Sequence, residues 1–141
     1  MNFIDSLKIS ASGLFVQRKR MDIISENLSN IETTRTEKGG PYRRKMIVVG
    51  AEPIDDFSEI LGSQIEGVRI EGVVEDKTPF KIIHNPGHPD ADKDGNLSKP
   101  NVDLVVEMTN MTIARNVYAA NVQALKSTRQ MVMKALEIGR A

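Results

Sequence analysis

Along the first thirty residues, apolar side chains return at helical intervals. Leu7, Leu14, Met21 and Leu28 recur every seven residues, and Phe3, Ile24 and Ile31 fill the alternate position that Ser10 and Gln17 leave polar. This spacing gathers one stripe on one side of a helix and reads as a coiled-coil seam of moderate quality. Asn2, followed three residues later by Asp5, suits the helix start, where a side-chain oxygen and a negative charge both answer free amide groups. The seam weakens across Ser10, Ala11, Ser12 and Gly13. Glycine costs about 1 kcal/mol against alanine inside a helix but lets another backbone approach, so a tight helix crossing is predicted there. The pattern stops at Asn27, Asn30 and the threonines that follow, and Gly39-Gly40-Pro41 is a breaker.

The middle of the chain changes period. KMIVVG (45–50), GVRIEGVVED (67–76) and PFKIIHNPG (79–87) are β-branched runs bounded by Gly, Pro and Asp, the punctuation of short strands. Residues 54–65 stay undecided between a helical turn and a loop. From Val102 onward a long helix is predicted, with Asn101 or Asp103 as its cap and Gly139 as a left-handed terminator. Two apolar stripes run along it. The first passes through Val106, Ile113, Val117, Ala120, Ala124, Met131 and Ile138; the second passes through Met108, Met111, Tyr118, Val122, Leu125, Val132 and Leu136. One stripe can be covered by the N-terminal helix in an antiparallel coiled coil. The second would then face water unless the middle region folds back over it or another molecule covers it. The predicted class is α+β: helical segments at 1–34 and 102–141, with a small β-rich domain and connector at 35–101.

Composition narrows the function classes. The chain has 141 residues, the size of one domain, with 4% aromatics and no Trp, so its centre must come from Val, Ile, Leu and Met. Lys plus Arg and Asp plus Glu number 19 each, which leaves no net field to draw nucleic acid or an acidic membrane surface. Cysteine is absent, which excludes disulfides, thiolate metal sites and thiol nucleophiles. The opening MNFIDSLKISASGLFVQRKR places Asp5 and Lys8 inside its apolar run, unlike a secretory signal or a bilayer span. Export without a cleaved signal peptide is expected if the chain leaves the cytosol.

One stretch invites a chemical reading. DADKDGNLSKPN (90–101) carries carboxylates at the first, third and fifth positions of a calcium loop and Gly95 at the sixth. Its twelfth position is Asn101 rather than a bidentate acid, and Pro100 blocks the start of an exiting helix. Weak calcium binding stays open, but side-chain-to-backbone turns in a proline-stiffened connector fit better; its residues are Pro86, Pro89, Asp90, Asp92, Gly95 and Pro100. His84 and His88 are separated by Pro86, which breaks the helical spacing a shared metal would need. No phosphate loop, nucleophile elbow or acid pair stands out. Arg18-Lys19-Arg20 and Arg43-Arg44-Lys45 read as solvated or paired surface. No catalytic set, cofactor or metal is therefore expected.

The N-terminal stretch SASGLFVQRKRMDIISENLSNIETT (10–34) resembles the signature of the axial proteins of the bacterial flagellum, the rod, hook and hook-associated family. The matching positions are Ser12-Gly13-Leu14, Arg20-Met21-Asp22, Asn27, Asn30 and Thr33-Thr34. GGPYRRK (39–45), NPGHPDADKDG (85–95), KPNVDLVVEM (99–108) and ARNVYAANVQALKSTRQMVMKALEIG (114–139) are similar to segments of a proximal rod member of that family. The resemblance implies a structural subunit of a periplasmic drive shaft that passes torque to the hook, not an enzyme. It also implies passage through the flagellar type III export apparatus, and helices that pack against copies of the chain and other rod proteins. On that reading the seam residues Leu7, Leu14, Met21, Ile24, Leu28 and Ile31 and both stripes of the C-terminal helix form the assembly interface. An export adaptor or chaperone, or a weak calcium-binding module, is the alternative.

Overall fold

A computed structural model describes residues 3–53 and 66–139. The expectations for Asn2 and for 54–65 lie outside these residues. Helix α1 (Phe3–Ser29) is followed by strands β1 (Lys45–Pro53), β2 (Glu66–Glu75), β3 (Lys81–His84) and β4 (Asn96–Lys99), and then by helix α2 (Leu104–Ile138). The class is α+β, with two long helices and two small two-stranded sheets. β1 pairs with β2, and β3 pairs antiparallel with β4, Ile83 standing opposite Leu97. The sequence pattern anticipates the first three strands. β4 was not anticipated, because Asn-Leu-Ser-Lys has no β-branched residue and its pairing comes from a partner fifteen residues upstream.

The element ends follow local chemistry. Asp103 caps α2: its Oδ1 accepts hydrogen bonds from the Val105 and Val106 amides at 3.0 and 3.2 Å. The Val106 amide and the Lys81 ammonium hold the Asp103 carboxyl below the usual carboxylate range. Asn101, the other candidate cap, is engaged elsewhere. Gly139 does not take the left-handed conformation expected of it; its amide donates to the Ala135 carbonyl at 3.1 Å, an ordinary helical bond. After α1 the chain turns at Gly39 and Gly40, whose φ values of 84° and 74° suit glycine, while Thr36 bonds to Gly40 through its amide.

The fold divides into two compact units, each drawn from separate stretches of chain. The first comprises Met1–Lys19, Val48–Gly72 and Ile113–Ala141; the second comprises Arg20–Ile47 and Val73–Thr112. In the first unit the buried hydrophobic side chains among the described residues are Val16 and Ala114. Gly13 lies against α2, where an added Cβ would sit 2.9 Å from Asn121 Nδ2, so the close approach predicted at this glycine is made by a side-chain amide. In the second unit Ile24, Tyr42, Leu97 and Val102 are buried together with polar Asn27 and Glu107.

Candidate functional site

The second unit is organised around a polar hub. The Asn27 side chain, on the last turns of α1, meets the start of β1 as a neighbouring strand would: its Oδ1 accepts from the Lys45 amide at 2.9 Å and its Nδ2 donates to the Lys45 carbonyl at 2.9 Å. The same two atoms make a second bond each. Oδ1 accepts from the Tyr42 hydroxyl at 3.0 Å, and Nδ2 donates to Glu107 Oε2 at 3.2 Å. All four hydrogen-bonding positions of the amide are thus used, as burial demands.

Glu107 is fully buried, and its other oxygen accepts from Arg44 Nε at 2.8 Å. Arg44 reaches on to Asp76 through Nη1 at 3.3 Å, and its amide donates to Asn101 Oδ1 at 2.8 Å. Asn101 Nδ2 in turn donates to the Asp76 carbonyl and to Thr78, so both asparagines tie together stretches of backbone distant in sequence. Burial works against the charged guanidinium of Arg44, but the bonds and charges of Glu107 and Asp76 outweigh it and raise its pKa above the ordinary value. The Thr78 amide, and then Arg44, hold the Asp76 carboxyl below its usual range. Burial first, and then the carboxylates of Glu26, Glu107 and Glu75, push the Tyr42 phenol up to about 12.

The basic cluster Arg43-Arg44-Lys45 is therefore structural. Arg43 lies over the Phe80 ring at 4.3 Å and donates to the Asp76 and Thr78 carbonyls, Arg44 enters the hub, and Lys45 pairs with Glu26 at 2.5 Å. None of this network was anticipated from the sequence, where Asn27 reads as the end of a pattern. The one available signal is Glu107, an acid set between Val106 and Met108 and seven residues before the small Ala114. Glu107, Ala114 and Asn121 continue that spacing, and Asn121 is half-buried. The two fully buried positions of α2 are thus one polar and one small, not large and apolar.

The first apolar stripe is left outside. Every residue of the first stripe, from Val106 and Ile113 through Val117, Ala120, Ala124 and Met131 to Ile138, is exposed, Ile138 at 78%. In the second stripe Met111, Tyr118, Val122, Leu125 and Val132 are half-buried, while Met108 and Leu136 are exposed. The stripe that lacks cover in the isolated chain is thus the first, whereas the sequence left the second without it. On α1, Leu7, Leu14, Met21 and Leu28 are half-buried and Ile24 is buried; Ile31, in the turn after it, is half-buried.

The calcium-like stretch closes the β3–β4 hairpin and supplies β4 itself. Asp92 Oδ1 accepts from the Asp94 and Asn96 amides at 3.0 and 2.7 Å, the side-chain-to-backbone turn expected of these residues. Gly95 has φ 76°, and an added Cβ would meet the His84 ring at 2.9 Å and Pro86 at 3.0 Å. Asp90 Oδ2 accepts from the Thr34 hydroxyl at 2.8 Å, and His88 Nδ1 accepts from the Asp90 amide at 3.1 Å. Pro86 and Pro89 are exposed in this loop, and Pro100 is buried just after β4. Among the described residues no group of three or more His, Asp or Glu side chains gathers as a metal site.

Comparison with known proteins places the chain. It is 41% identical to the flagellar basal-body rod protein FlgC of Bacillus subtilis, over 99% of this chain and all of that protein. It is 37% identical to the FlgC of Borreliella burgdorferi over 98% of each chain. The chain belongs to the FlgC family of flagellar basal-body rod proteins. The FlgC of Salmonella typhimurium is also similar, at 35% identity over 99% of each chain. Residues 93–138 match a second description, the C-terminal part of the flagellar basal body rod FlgEFG proteins. That match covers β4 and all of α2, so the shared element is the helix with the exposed stripe. The adaptor and calcium-module readings find no support among these FlgC relatives.

Proposed function

We propose that the chain is a structural subunit of the flagellar basal-body rod, built into a hollow drive shaft through the open faces of its two long helices and passing torque toward the hook. The supporting observation is the uncovered first stripe of α2 in a chain of the FlgC family. A helix of 35 residues with exposed Val106, Ile113, Val117, Met131 and Ile138 offers more contiguous apolar surface than a monomer keeps in water. Covering it in an assembly releases about 25 cal/mol for each Å2 of apolar area removed from water.

On this reading α1 and α2 pair as an antiparallel coiled coil within an axial core of residues 1–34 and 102–141, and residues 35–101 form the outward domain and its link. The polar inward line gives the pair alignment, and the stripes give adhesion to neighbours. Those neighbours are copies of the chain and other rod proteins. The chain reaches the periplasmic rod through the flagellar type III export apparatus without a cleaved signal, and acts as a building block rather than a catalyst. Pro86, Pro89 and Pro100 stiffen the link, because proline removes backbone freedom where torque is carried.

Val117→Asp tests the reading. The side chain is exposed at the middle of the first stripe, so the isolated variant should keep its fold to within about 0.5 kcal/mol. Its incorporation into purified basal bodies, and swimming, should be lost. Basal bodies carrying normal amounts of the variant would refute the proposal.

A further inference from the structure

In the first unit, where Leu7 of α1 approaches the second half of α2, an apolar groove of about 480 Å3 opens between Leu7, Val122, Leu125, Val132 and Met133. Lys126 and Arg129 stand on its rim. A neighbouring hollow of about 330 Å3 shares both cations and Met133 and adds Gln130 and Lys134. Lys134 is paired with Glu137 at 2.8 Å. Lys126 and Arg129 are exposed, and among the described residues no hydrogen bond or ion pair reaches either of them. An apolar trough edged by two unanswered cations sits in a chain whose overall charge is zero.

We infer that this groove receives a helix of a neighbouring rod subunit that carries carboxylates flanking its apolar stripe. The assignment rests on the rod-subunit reading and adds the chemistry of the partner. Lys126 and Arg129 are three residues apart and so lie side by side on α2, which matches two acids three or four residues apart on a partner helix. Leu136, four residues beyond Val132, lies on the same side of α2 and is exposed, so an occupant would continue the apolar contact of that face. Rim charges of this kind set the orientation and choice of partner more than they add affinity. A rod neighbour with a neutral or basic helix would leave both cations unanswered.

The test uses the full chain in flagellated cells with Met133→p-benzoylphenylalanine, irradiation of purified basal bodies, and sequencing of the cross-linked peptide. The expected product joins the groove to a helix of another subunit with two Asp or Glu residues three or four positions apart. Adding Lys126→Glu and Arg129→Glu should lower the yield per incorporated chain about tenfold, while Lys126→Arg preserves it. If the double reversal keeps the chain out of basal bodies, Arg129→Gln alone should still give a smaller fall. Several results would overturn the inference: a cross-link confined to the same chain, one to lipid or to a segment without carboxylates, no cross-link in basal bodies that contain the chain, or a yield indifferent to the charge changes. Absence of the chain with native Met133 from basal bodies would instead defeat the rod-subunit reading.

Discussion

In its first turns α2 faces a carboxylate inward, and Glu107 is fully buried against Arg44 and Asn27; past Ala114, no described residue of the same helix is buried, although the stretch is rich in Val, Leu and Met. The usual allocation of polar and apolar side chains is reversed between these two regions. A buried ion pair costs desolvation and adds little net stability, but it is satisfied in only one arrangement. Apolar contact is forgiving about register and proportional to area. The second unit therefore fixes geometry within the chain, and past Ala114 α2 leaves the apolar area of its first stripe exposed.

Removing the buried carboxylate should break the comparison most sharply. Glu107→Ala leaves Arg44 Nε and one Asn27 amide proton without their acceptors inside the second unit, a loss of about 3 to 5 kcal/mol. Urea denaturation followed by circular dichroism should register that drop, whereas Ile113→Ala, on the exposed stripe, should change stability by less than about 0.5 kcal/mol. Equal effects would mean that the hub does not carry the second unit.

Asn27→Ala comes next. It strips Lys45 of both backbone partners supplied by the amide and should cost about 2 kcal/mol. Residue-resolved hydrogen exchange gives the local readout. In the unchanged chain the Lys45 amide should exchange slowly and the amides of residues 125–138 rapidly, because fraying of an uncovered helix needs no rupture of the hub. In the variant the Lys45 amide should join the fast class. Uniform protection along α2 in the dilute chain would show that its far half is finished without partners.

Gly95→Ala has a smaller effect. The positive φ and the nearby His84 ring and Pro86 both oppose a Cβ, so the hairpin should lose about 1 to 2 kcal/mol. Thermal denaturation monitored at β3–β4 would read it, and an unchanged midpoint would show that the loop relaxes freely.

The sequence carried the helices and hid the hub, for a physical reason. Apolar periodicity locates a helix, and α1 and α2 lie where Leu7 to Leu28 and Val106 to Ile138 put them. It also suggests that apolar stripes face inward, and here that rule fails. Asn27, Arg44, Asp76, Asn101 and Glu107 are spread over eighty residues, and each is a residue type that normally meets water. Only their convergence makes them an interior, and convergence is a property of the fold. Strand β4 was obscured in the same way, since Asn-Leu-Ser-Lys owes its state to Lys81–His84 across the hairpin.

Tyr42 offers the finest probe of the hub, because its proton is part of it. The phenol donates to Asn27 Oδ1 at 3.0 Å, and its pKa is pushed up to about 12 by burial and by Glu26, Glu107 and Glu75. A free tyrosine titrates near 10, so between about 10 and 12 the unfolded chain gives up a proton that the folded chain keeps. The contribution is fully present below the unfolded value and is lost as pH rises toward the folded one. The informative quantity is the difference between the unchanged chain and Tyr42→Phe. That difference, measured by urea denaturation, should shrink steadily as pH rises from 10 to 12. A difference that stays flat across this range would mean that burial and the neighbouring carboxylates do not raise the Tyr42 phenol.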